Sequence, residues 1–136
     1  MSSFTDRLIV SPNDNFSSWT IVERFRYWLV RLHVGDVITV AEGSTTDFAS
    51  IPRILWSLLS PYGLYGKAAV IHDYLYRLGG VVNVAEDGMP LRMRKFSRSE
   101  CDQIFYEAME CLGVGWFTRH IMWIGVRVGG YWAYKD

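Results

Sequence analysis

The stretch Gly66-Lys67-Ala68-Ala69-Val70-Ile71-His72-Asp73-Tyr74-Leu75-Tyr76 constrains the fold of this chain more than any other. It reads as a helix that starts small and apolar and then carries an imidazole, a carboxylate and a phenol. On a 3.6-residue period His72 and Tyr76 share a face, and Asp73 stands about 100° round from His72. Each of these polar groups needs a partner once buried, because desolvating it without a hydrogen bond costs free energy. The rest of the chain has to supply those partners.

A second helix is well marked. Ser97-Arg98-Ser99-Glu100 is a capping box, with Phe96 placed as its hydrophobic staple. The apolar residues Cys101, Ile104, Phe105, Ala108, Met109 and Leu112 then recur at helical spacing, and Gly113 ends the run. Asp102 lies beside this stripe, near Phe105 and Met109, where it can face the His72 helix. A third helix is expected from about Trp116 to Val128, apolar around much of its girth and closed by Gly129-Gly130. A short apolar helix after Pro52, over Ile54 to Leu59, completes a bundle of about four. The His–Asp helix itself should stop at Gly79-Gly80.

The first 45 residues read as β-structure. Arg7 to Val10 is a short strand ended by a turn at Ser11 to Asn15. Trp19 to Leu32 is long and rich in β-branched and aromatic residues; Trp19, Ile21, Phe25 and Tyr27 share one parity, which Glu23 breaks. A turn at Val34-Gly35-Asp36 leads to a returning strand, Val37 to Val40. Val81 to Lys95 is either a β-hairpin or a loop. The fold class is therefore α+β: an N-terminal antiparallel sheet (1–45) packed against a helical part (46–136), in a single domain.

With 136 residues, half of them hydrophobic, the chain can bury a substantial core without staples. Fourteen basic and fourteen acidic residues cancel, which removes any electrostatic motive for nucleic-acid binding. Cys101 and Cys111 sit about 15 Å apart along one helix and cannot bridge each other. The N-terminus lacks the basic start and apolar run of a signal peptide. The most apolar segment, Trp116 to Val128, is too short to span a bilayer and is interrupted by Arg119, His120 and Arg127.

Two resemblances follow from these motifs. TTDFASIPR at Thr45 to Arg53, AAVIHDYLY at Ala68 to Tyr76, Ser99 to Phe105 with Asp102, Gly113-Val114 and Val126-Arg127 resemble, in order, an uncharacterised family of short proteins of tailed bacteriophages and prophages. That resemblance implies a phage or prophage origin, a place in the virion or the host cytoplasm, and phage structural proteins as partners. More locally, HDYLY followed by Asp102 and Phe105 is similar to the two-helix core of phospholipase A2. That similarity implies His72 as general base, Asp102 as the carboxylate orienting it, Tyr76 as the hydrogen-bond partner of Asp102, and Asp73 as a ligand of Ca2+. Asp47, delivered by the Gly43–Pro52 loop, would be a further carboxylate near Asp73. The glycine-rich calcium loop of that family has no counterpart at Ile54-Leu55-Trp56-Ser57.

The chemistry is coherent without the family, since a base needs its tautomer fixed and a hard cation with oxygen ligands stabilises an oxyanion. Each residue also has a structural reading. His72 and Asp102 would form a buried pair locking two helices, and Asp73 would cap the next loop or meet Arg53 or Arg98. Three functions remain open: a tail-associated virion component, a calcium-dependent hydrolase acting on a phospholipid surface, and a protein that binds a host factor through an aromatic face around Trp116, Trp123 and Trp132.

Overall fold

The computed structural model describes residues 4, 8–13, 19–30, 36–46, 66–85 and 92–129, and the account below concerns these. The strands are β1 (Val10–Pro12), β2 (Trp19–Ile21), β3 (Phe25–Trp28), β4 (Val37–Val40), β5 (Thr45–Thr46), β6 (Val81–Ala85) and β7 (Arg92–Lys95). The helices are α1 (Gly66–Arg77), α2 (Arg98–Cys111) and α3 (Trp116–Gly129). The architecture is α+β, with the N-terminal strands antiparallel as expected. The expected helix after Pro52 and the tail from Tyr131 lie outside the described residues.

Two sheets share the strands, in the orders β1-β2-β5 and β3-β4-β6-β7, and every pairing is antiparallel. The segment expected as one long strand from Trp19 is therefore two strands. Val22, Glu23 and Arg24 bend out into solvent between them, which is where Glu23 breaks the alternation. The returning arm bends at the same level: β4 ends at Val40, and a turn through Gly43, at φ 86°, leads to β5. Two backbone bonds, Ile21 N–H to Ser44 O at 2.8 Å and Gly43 N–H to Ile21 O at 2.9 Å, hold the two bends together. The result is one kinked hairpin whose halves belong to different sheets.

Other differences are local. β1 occupies Val10–Pro12, the last residue of the expected strand and the first two of the stretch expected as a turn, and its register pairs Pro12 with Trp19. Proline is tolerated there because β1 is an edge strand of its sheet. Of the two alternatives open for Val81 to Lys95, the hairpin is realised, with Val81 opposite Lys95, and it extends the four-stranded sheet beyond residue 45. β7 is tied to the start of β4 by Arg94 Nε, 3.0 Å from Oδ2 of buried Asp36.

Parity explains the core. Ile21, Phe25, Tyr27 and Leu29 point inward from β2 and β3, with Ile38 and Val40 from β4, and meet Ala68, Ala69, Ile71 and Leu75 of α1 and Ile104, Phe105, Ala108 and Met109 of α2. α1 is covered on nearly every side, touching α2 as well as β4 and β5. Its end is fixed by Gly79 and Gly80 at positive φ, with Gly80 N–H bonded to Leu75 O at 2.7 Å. α2 opens with the expected capping box at Ser97 and Glu100. It closes through Gly113 N–H to Glu110 O at 3.1 Å and Val114 N–H to Met109 O at 3.0 Å, a Schellman motif that needs the positive φ of Gly113. No helix of the described residues is long and apolar enough to cross a membrane.

Candidate functional site

Asp102, wholly buried near the start of α2, is the centre of the polar network. On one side His72 Nε2 lies 2.7 Å from Oδ1, and the Tyr76 hydroxyl donates to the same oxygen at 2.5 Å. The i, i+4 spacing of His72 and Tyr76 puts both on one face of α1, so one carboxylate oxygen receives both. On the other side Arg127 of α3 donates from Nη1 to Oδ2 at 2.8 Å, and Arg98 stands 3.8 Å from that oxygen.

These contacts give the helix directions. His72 meets Asp102 and lies against Phe105, with ring centroids 4.8 Å apart, while Tyr76 meets Asp102 with Arg98 beside it. α1 and α2 therefore run antiparallel. α3 returns antiparallel to α2: Arg98 reaches Arg127 O at 3.2 Å, and Glu110 at the other end lies 3.7 Å from Arg119. One carboxylate thus joins side chains of three helices.

Burial by itself would raise the Asp102 carboxyl. The hydrogen bonds from His72 and Tyr76, and the His72 and Arg127 side chains beside it, outweigh that and hold it below the ordinary carboxylate range. Asp102 is then an ionised acceptor at neutral pH, so the His72 nitrogen facing it carries the hydrogen. The Tyr76 hydroxyl is raised, first by burial and then by its bond to Asp102, and stays protonated.

The structure thus brings His72, Asp102 and Tyr76 together. Asp73, also buried, points elsewhere: its Oδ2 accepts from Arg77 Nε at 3.0 Å, one turn along the same helix. Arg98, an expected partner for Asp73, stands beside Asp102 instead. Asp47 and Arg53 lie outside the described residues. Among those residues, no group of three or more His, Cys, Asp and Glu side chains is placed to hold a metal ion.

Two contributors escape the sequence reading. Arg127 counts there as an interruption of an apolar segment and as part of the Val126-Arg127 motif, without a partner assigned, yet it meets Asp102. Glu107, buried on α2, accepts from the Tyr27 hydroxyl of β3 and from Val30 N–H at 2.8 Å, tying the four-stranded sheet to α2. Nothing in the periodicity of α2 marks Glu107 as buried. His120 is engaged within α3, its Nδ1 2.9 Å from Trp116 O. Cys101 is a buried thiol pushed up to about 12, first by burial and then by the neighbouring Asp102 and Glu100 charges. It is an unreactive core residue.

An uncharacterised protein, y4jT, of Sinorhizobium fredii (strain NBRC 101917 / NGR234) is 30% identical over 97 residues, covering 69% of this chain and 24% of that protein. The chain therefore spans about a quarter of the relative's length. No solved structure is a significant match. Residues 19–126 match the family described as "Protein of unknown function (DUF1353)", a span that holds every strand from β2 onward, α1, α2 and most of α3. The chain belongs to the DUF1353 family.

Proposed function

We propose that this protein is a structural subunit of a tailed-bacteriophage or prophage particle, associated with the tail, in which the Asp102 network pins three helices. The observation that carries the structural role is that both oxygens of Asp102 are engaged, by His72 and Tyr76 on one side and Arg127 on the other. A carboxylate already meeting a guanidinium at 2.8 Å has less field to spare for an imidazolium on His72. The network holds helices together and is poorly arranged to drive proton transfer. The phage assignment rests on the resemblance carried by Thr45 to Arg53 and Ala68 to Tyr76, and it puts the protein in the virion, or in the host cytoplasm before assembly.

One observation favours a second reading. His72 Nε2 sits 2.7 Å from an ionised carboxylate that Tyr76 also binds, which is how a general base is oriented. On that reading the protein is a calcium-dependent hydrolase acting on phospholipid, with Asp73 and Asp47 holding the cation. The engagement of Asp73 by Arg77 weighs against it.

The test has two arms. Mass spectrometry of purified particles detects the protein at stoichiometric level if it is a virion component. Phospholipid vesicles incubated with wild-type protein and millimolar calcium stay intact, and calcium leaves the melting temperature unchanged. Hydrolysis lost in His72→Gln, together with a calcium-dependent rise in melting temperature lost in Asp73→Asn, would establish the hydrolase instead.

A further inference from the structure

α3 is held to the protein differently from the other two helices. Nine of the twelve residues of α1 and seven of the fourteen of α2 are buried, but of the fourteen residues of α3 only Met122 and Val126 are. A helix with so little apolar burial depends on its polar ties, and among the described residues these run to α2 at both ends. At the start of α3, Arg119 stands 3.7 Å from Glu110 and His120 Nε2 lies 3.4 Å from the Tyr106 hydroxyl, both long for such contacts. The ties at the other end are shorter, and two arginines make them.

Those arginines are placed to exchange partners. Arg127 donates from Nη1 to Asp102 Oδ2 at 2.8 Å. Arg98 Nη1 lies 3.2 Å from Arg127 O and 3.5 Å from Val126 O, carbonyls at the C-terminal end of α3. The same Arg98 nitrogen is 3.8 Å from Asp102 Oδ2. A shift of about 1 Å would bring it within a charge-assisted hydrogen bond of that oxygen. Taking the cation from a buried carboxylate is ordinarily costly. Lifting α3 away avoids much of that cost, because the same motion frees Arg98 from the α3 carbonyls and lets it take the oxygen that Arg127 vacates.

We propose that α3 is a releasable helix whose two states are set by this exchange. In the docked state Arg127 holds Asp102 and Arg98 holds the end of α3. In the released state α3 swings out as a unit and Arg98 closes on Asp102, while His72 and Tyr76 stay on Oδ1. Release bares Met122 and Val126 and leaves α1, α2 and the sheets in place. The joint is Gly115. It follows the bonds that end α2, and its carbonyl accepts from Arg119 N–H at 2.9 Å, the bond that opens α3. A Cβ added at Gly115 would meet nothing within 4 Å, so no neighbouring atom blocks rotation there. Two discrete arrangements of one packed element are what a conformational switch requires.

This goes beyond the virion reading and does not depend on it. If α3 opens only with the whole fold, the switch is overturned and the docked network keeps the role given to it.

Hydrogen exchange of the full chain, followed by mass spectrometry without denaturant, is the test. In wild type the interior amides of α3 exchange together, at least about tenfold faster than those of α1. Arg98→Met slows α3 exchange, on the order of tenfold, because opening then leaves Asp102 without a cation. Were Arg98 only a fastener of the α3 carbonyls, the same variant would speed it. Should Arg98→Met fail to fold, Arg98→Gln decides in the same way, since it keeps a donor for the carbonyls and removes the charge. α3 amides that exchange no faster than those of α1 overturn the proposal, and so does an Arg98 variant in which α3 exchange is not slowed.

Discussion

Replacing Arg127 with methionine isolates the contact that the Asp102 network owes to α3. Methionine keeps most of the apolar stem, so the change removes the guanidinium with little loss of packing. Its Nη1 lies 2.8 Å from Oδ2 of a carboxylate that is wholly buried, while the arginine side chain is 32% exposed. Removing one partner from a fully buried ion pair costs about 3–5 kcal/mol, and a fully exposed pair contributes about 1 kcal/mol or less. Arg127→Met falls between these limits, and Arg98 remains 3.8 Å away as a partial substitute. The expected loss is about 2 kcal/mol. For 136 residues the unfolding entropy is roughly 0.29 kcal/mol/K, so the melting temperature drops by about 7 °C. Urea unfolding measures the loss, with an unchanged m-value confirming that the folded state is intact. A double-mutant cycle with Asp102→Asn supplies the control. Once the carboxylate charge is gone, Arg127→Met should cost about 1–2 kcal/mol less than it does in wild type. Two results refute the argument: Arg127→Met within about 0.5 kcal/mol of wild type, or the same cost in both backgrounds, either of which would show that the guanidinium does not neutralise Asp102.

Three further predictions follow from the same geometry. The carboxyl of Asp102 is depressed in the folded state, so its contribution is fully present above the ordinary carboxylate value near pH 4 and is lost as pH falls through the lower folded value; urea midpoints measured from pH 6 down to 2 should fall less steeply in Asp102→Asn. Ser97→Ala removes the side chain that accepts from Glu100 N–H at 3.1 Å, and should cost about 1 kcal/mol by urea unfolding, with Ser97→Gly costing less. Tyr27→Phe leaves buried Glu107 without its hydroxyl donor and should destabilise by about 1–3 kcal/mol. Tyr27→Phe combined with Glu107→Gln should cost less than the two changes added together, and strict additivity would mean that the pair does not interact.

What the sequence makes legible depends on whether the signal is local. The capping box at Ser97 and Glu100, the glycines that end α1 and α2, and the parity of Ile21, Phe25 and Tyr27 are written within a few residues, and the structure has them all. The kink that splits the long strand is half legible. Glu23 marks it, but the matching turn at Gly43 shows only once the two arms are paired. The network around Asp102 is half legible in the same way. His72 and Tyr76 sit one turn apart on an apolar helix, and Asp102 sits beside an apolar stripe, so burial obliges each to find the other. The placing of Asp47 near Asp73 is an expectation about a loop's course, of which periodicity says nothing, and it lies outside the described residues. Glu107 lies off the apolar stripe of α2 and is buried only because β3 covers it, a tertiary fact without a local mark.

Arg127 is the instructive omission. An arginine within an apolar helix carries the same obligation as an aspartate beside an apolar stripe, since a charge leaving water needs an opposite charge to meet it. Asp102 on α2 and Arg127, one of two arginines on α3, lie on helices joined by a connection too short to do anything but fold back antiparallel. In such a hairpin the start of the first helix faces the end of the second. Asp102 is the fifth residue of α2 and Arg127 the third from the end of α3, so the fold-back sets them at one level. A buried carboxylate and a half-buried guanidinium in one helical hairpin therefore have a common solution. Treating Arg127 as a demand for a carboxylate, and not as a break in hydrophobicity, is enough to find it. The same step shows why the Asp102 carboxylate serves three helices: His72 and Tyr76 meet Oδ1 from α1, and the guanidinium that hydrogen-bonds Oδ2 comes from α3, nearer than Arg98 of α2 at 3.8 Å.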